Sequence, residues 1–65
     1  MMKFLIKERR KACSMTQEEL AQRSGVSRKL ICDLERGNVR STTTNVLELL
    51  AKALGVKVRD LIDED

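Results

Sequence analysis

A chain of 65 residues makes one domain, residues 1–65, which buries only about 60% of the surface it exposes when unfolded, so its core is thin and its stability is a few kcal/mol. It has no tryptophan, no tyrosine, one phenylalanine and no proline, with glycine only at Gly25, Gly37 and Gly55, each after a helical pattern. That punctuation predicts an all-helical bundle.

The net charge of +3 is unevenly spread. Residues 1–40 hold ten Lys or Arg against five Asp or Glu, and residues 41–65 hold three against five. A basic front and an acidic rear orient a molecule toward a polyanion, although ordinary solvated helix faces give the same count. With no histidine, and with Cys13 and Cys32 as its two cysteines, the chain cannot complete a four-ligand zinc site unaided and does not read as a disulfide scaffold. Both thiols read as reduced, in a cytoplasm. No metal or other cofactor is expected.

The first helix is predicted from Met2 to about Cys13, with Met2, Leu5, Ile6, Ala12 and Cys13 at helical spacing and Lys7, Glu8 and Lys11 between them. Its apolar run Phe4-Leu5-Ile6 is far too short for a signal-peptide core, and nothing approaches a membrane span. Thr16 and Glu19 then form a capping box that opens a second helix, with Leu20 and Ala21 on its apolar side. Gly25 ends it, where the chain commonly needs a positive φ. Val26 points inward and Ser27 caps a third helix running to about Arg36, with Ile31 and Leu34 as its buried stripe. Ser27, Arg28, Lys29, Cys32, Asp33 and Arg36 lie off that stripe, and three of the six are cations. Thr43 caps a fourth helix with Leu47, Leu50, Ala51 and Leu54 inward, and Gly55 stops it. Val56, Val58, Leu61 and Ile62 predict a short fifth helix with a poor N-cap in Lys57 and a well-placed Asp60. Asp63-Glu64-Asp65 reads as a solvated tail.

Gln17, Leu20-Ala21, Gly25-Val26-Ser27, Ile31, Leu34-Glu35 and Gly37 together resemble the helix-turn-helix of the phage repressor and Cro family, over residues 16–37 within a match from about Leu5 to Leu61. The resemblance implies a compact five-helix, lambda-repressor-like fold in which the third helix enters the DNA major groove and the second crosses the backbone. It pairs Arg10 with Glu35, leaving the guanidinium near a phosphate; the alternative is two exposed charges worth less than about 1 kcal/mol. It also assigns a phosphate contact to Gln17, helped by the free N–H groups of a helix start. Ser14 departs from the glycine often found at its position, and Thr42 from a frequent proline.

Within that frame Ser27, Arg28 and Lys29 are the candidates for base edges, since arginine grips guanine O6 and N7 bidentately. Asp33 either accepts from cytosine N4 or pairs with Lys29 four residues earlier. Leu30 packs on the second helix or meets a thymine methyl, and Cys32 is a small filler. Arg36, Asn38, Arg40, Thr42 and Thr43 suit phosphate oxygens, which position a protein without specifying sequence. In related proteins the end of the domain forms a two-fold interface, which assigns Val58, Leu61 and Ile62 to a homodimer. The expected partner is a double-stranded operator with half-sites about 34 Å apart, with no membrane and no small-molecule ligand. The rival is a protein-interaction module such as an antitoxin-like partner. An enzyme is disfavoured, because there is no histidine, no spaced carboxylate pair and no glycine-rich phosphate loop.

Overall fold

The computed structural model describes residues 2–38 and 42–64. Its elements are β1 (Met2–Phe4), α1 (Ile6–Ala12), α2 (Gln17–Ser24), α3 (Arg28–Arg36), α4 (Thr44–Leu54), a 3₁₀ turn (Val58–Leu61) and β2 (Ile62–Glu64). The body is all-α, with α2 and α3 as the helix-turn-helix, but the described residues hold four α-helices rather than five.

Both ends of the chain account for the difference. β1 and β2 pair antiparallel in the register Met2↔Glu64, Lys3↔Asp63, Phe4↔Ile62. The Leu5 N–H donates to the Leu61 carbonyl at 2.8 Å and carries the pairing into the start of α1. Residues 2–4 therefore form a strand and α1 begins only at Ile6, while Asp63 and Glu64 belong to a ribbon and not to a free tail. The expected fifth helix shrinks to a single 3₁₀ turn. Its start is satisfied by Asp60, whose Oδ2 accepts from the Lys57 N–H at 3.0 Å, and Ile62 is already extended at φ −123° and ψ 129°.

Ile6, Leu20, Ile31, Leu50 and Leu61 are fully enclosed, and Met15, Val26, Leu34, Leu47, Ala51 and Leu54 complete the core. Burying each such leucine or isoleucine contributes about 1.5–3 kcal/mol, so four helices and the 3₁₀ turn are held by one shared cluster. The family resemblance places Leu61 at a dimer surface. Its complete burial withdraws it from that role, because the 3₁₀ turn rolls it under α4 while Val58 and Ile62 stay half-buried at the rim.

Polar contacts fix α1 at its far end. Arg9 Nε donates to the Asp60 carbonyl at 3.0 Å, and Cys13 Sγ lies 3.6 Å from the Leu54 carbonyl. α1 closes with the Ser14 N–H on the Lys11 carbonyl at 3.0 Å and the Met15 N–H on the Arg10 carbonyl at 3.1 Å, a Schellman ending. That ending puts Ser14 at φ +54°, the left-handed region that an L side chain enters at a cost of about 1–2 kcal/mol.

Candidate nucleic-acid interface

Three hydroxyls set the angle between α2 and α3. Thr16 Oγ1 accepts from the Glu19 N–H while the Glu19 carboxylate accepts from the Thr16 N–H, both at 3.0 Å, so the start of α2 is doubly satisfied. These bonds hold the Glu19 carboxyl below its ordinary pKa, the backbone bond at Thr16 first and the hydroxyl second. At the turn Gly25 adopts φ +76° and its N–H returns to the Ala21 carbonyl. Ser24, buried at 7% exposure, accepts the Val26 N–H on its hydroxyl at 3.1 Å. Ser27 Oγ then accepts the Leu30 N–H at 3.2 Å and starts α3. The role of Ser24 escaped the sequence reading. Its signal is a serine two residues before a buried valine across a glycine, the pattern in which a hydroxyl closes a local turn.

A second device locks α3 from below. Arg10 Nε donates to Glu35 Oε2 at 2.8 Å and Nη2 to Oε1 at 3.1 Å, a forked pair whose side chains are 11% and 4% exposed. Nη1 also holds the Met15 carbonyl at 2.8 Å, and Gln17 Nε2 donates to Glu35 Oε1 at 3.0 Å. One carboxylate thus ties α1, α2 and α3 together. Burial pushes the Glu35 pKa up, but the hydrogen bonds from Arg10 and Gln17 and the charges of Arg10 and Lys7 outweigh it, so the net shift is downward. The Arg10 guanidinium is pushed up, chiefly by its bond to Glu35 and against the effect of burial. Neither the Gln17 bond nor the Met15 bond was legible in the sequence, because each depends on how α1 crosses the start of α2. Arg10 and the Gln17 amide are largely engaged within the protein, which leaves at that place the Gln17 and Glu18 N–H groups, the two opening donors of α2 that the capping box does not take.

The outer face of α3 is left open. Ser27, Arg28, Lys29 and Arg36 are exposed, and Leu30, Cys32 and Asp33 are half-buried. Among the described residues Lys29 and Asp33 do not approach to ion-pair distance, so that expected pairing is absent. The first turn of α3 holds no acid. Its two neighbouring cations face the positive end of the helix dipole, where a positive charge is disfavoured by a few tenths of a kcal/mol. Such a placement concentrates positive potential at the end from which a helix probes a groove. Beyond α3 the Asn38 N–H closes the helix on the Asp33 carbonyl at 3.0 Å, and Asn38 itself is exposed. Thr42 is half-buried, and Thr43 Oγ1 caps α4 through the Val46 N–H at 3.2 Å. Arg40, assigned to a phosphate, lies outside the described residues. No group of three or more metal-ligating side chains occurs among the described residues, and no helix there is long and apolar enough to cross a membrane.

Residues 6–61 match the family model described as helix-turn-helix. The chain belongs to the helix-turn-helix family. This member is 43% identical, over 98% of its own length and 96% of the relative, to an uncharacterised HTH-type transcriptional regulator of Methanothermobacter thermautotrophicus. It is 42% identical to control protein C.BamHI of Bacillus amyloliquefaciens, over 77% of this chain and 60% of that protein. It is also 35% identical to the immunity repressor protein of Bacillus phage phi105, over 92% of this chain and 41% of the repressor. The matched span of this helix-turn-helix chain runs from the first residue of α1 to the last residue of the 3₁₀ turn, so the terminal ribbon lies outside it.

Proposed function

We propose that this helix-turn-helix protein is a sequence-specific DNA-binding regulator of transcription, acting as a homodimer that lays α3 of each copy in successive major grooves. The observation that carries the reading is the exposed pair Arg28 and Lys29, without an ion-pair partner among the described residues, at the start of a helix fixed by a cap and by a buried carboxylate. Arg28 is the guanine reader, Lys29 and Ser27 flank it, and Asp33 accepts from a cytosine amino group or repels a misplaced phosphate. Arg36, Asn38, Arg40, Thr42 and Thr43, with the N-terminal amides of α2 at Gln17, hold phosphates and set register. Arg10 serves that set by positioning Gln17 and α3 through Glu35. Val58 and Ile62 supply the two-fold contact. The names of its relatives, an HTH-type transcriptional regulator, a control protein and an immunity repressor, support a regulatory outcome.

Selection from a library of random duplexes tests the reading. The wild-type protein should enrich a two-fold motif, and Arg28→Ala should lose about 1–3 kcal/mol of affinity and relax one base pair in each half-site. A library that emerges without any enriched motif would end the claim of sequence reading.

A further inference from the structure

Beside Glu35 and α1 lies a cavity of about 390 Å³, open to solvent and lined by Phe4, Lys7, Glu8, Lys11 and Glu35. Lys7 and Lys11 stand one turn apart on the same face of α1, and both are exposed. Phe4 brings β1 up as one wall, against which long lysine stems can lie while their ammonium groups stay in water. Glu35, the buried carboxylate at this place, directs its hydrogen bonds to partners other than the lysines, although Lys7 adds to the positive charge around it. Glu35 is held by two bonds from Arg10 and one from Gln17, and Glu8 has a partner of its own. Two exposed cations therefore line a pocket whose buried carboxylate, Glu35, is already paired.

The position of the pocket matters as much as its charge. Glu35 is in the last turn of α3 and is bonded to the first residue of α2. The pocket thus adjoins the helix start proposed to hold a phosphate, and it lies about 11 Å along α3 from the base-reading end at 1.5 Å per residue. A strand whose phosphate sits at the α2 start, as proposed above, is thereby brought next to this pocket.

We propose that Lys7 and Lys11 form a phosphate clamp on α1 that grips one phosphodiester of the DNA backbone beside the α2 start. The clamp rests on the DNA-binding reading and adds to it a contact from outside the helix-turn-helix. It supplies affinity and carries no base preference, since a phosphate contact reads no sequence.

The test measures affinity for a selected duplex between about 50 and 200 mM salt, where each neutralised phosphate adds about 0.9 to the slope of log affinity on log salt. Lys7→Gln with Lys11→Gln should lower that slope by about 0.9, which removes about 3.5-fold of the affinity loss across this range. Lys52→Gln, an exposed change in the last turn of α4, controls for net charge and should leave the slope as it was. Selection with the double variant should recover the wild-type motif. A slope unchanged by the double variant, or lowered equally by Lys52→Gln, overturns the clamp while leaving sequence reading intact. A wild-type protein that binds but enriches no motif overturns the reading of bases instead, and one that binds no duplex overturns both.

Discussion

The three-helix junction at Glu35 can be tested by taking its charges away singly and together. Its side chain is 4% exposed and that of Arg10 is 11% exposed, so either variant alone leaves a charge with little water to replace the lost partner. Breaking a fully buried pair costs about 3–5 kcal/mol. The small exposure at Arg10 softens this to about 2–4 kcal/mol, against a total of about 3–10 kcal/mol for a domain of 65 residues. With a urea slope of about 1 kcal/mol per molar, Arg10→Met or Glu35→Leu should each bring the midpoint down by about 2–4 M. The double variant removes both charges and leaves an apolar pair of similar volume. It should therefore be more stable than the sum of the singles by at least about 2 kcal/mol. Urea unfolding of the four proteins, followed by circular dichroism, reads the coupling. Single losses that add to the double within about 0.5 kcal/mol would refute the argument that the junction is electrostatic.

The same carboxylate sets an acid limit. Because the Glu35 pKa is lowered in the folded chain, its contribution is complete above the unfolded value of about 4.3 and is lost as pH falls through the folded one. The urea midpoint should stay level from about pH 7 to 5 and drop below about 4; Glu35→Gln, already lowered, should drop less over that acid range. Ser14→Gly should raise the melting temperature by about 3–6 °C, since glycine takes φ +54° without the cost borne by serine; a lower melting temperature would show that the turn is not strained. Val58→Asp should shift sedimentation from dimer toward monomer with little change in helicity, and an unchanged mass would remove Val58 from the contact.

Helices α2, α3 and α4 were legible because everything that starts and stops them is local. Thr16, Ser27 and Thr43 each bond an N–H three residues ahead, and Gly25, Gly37 and Gly55 each take a positive φ just beyond a helix. The inward stripes follow from the 3.6-residue period alone. The ends were not legible in this way. Residues 2–4 carry a pattern that suits a helix, yet they lie in a strand because residues 62–64 return to pair with them. That partner is some 60 positions away, beyond the reach of any periodicity.

Burial at the end of the chain was decided the same way. Val58, Leu61 and Ile62 are equally apolar in composition, and only the 3₁₀ turn sends Leu61 fully inside while leaving the other two at the rim. Residue types within one turn of each other determined where α2, α3 and α4 begin, where they end and which face carries Arg28 and Lys29. Contacts between distant segments decided the rest: the terminal ribbon, the bonds that Gln17 and the Met15 carbonyl add to the expected Arg10–Glu35 pair, and the pocket under Lys7 and Lys11. The physical reason is range. A cap or a left-handed glycine acts within about four residues, whereas pairing of strands and sharing of a buried carboxylate depend on where the whole chain has already folded.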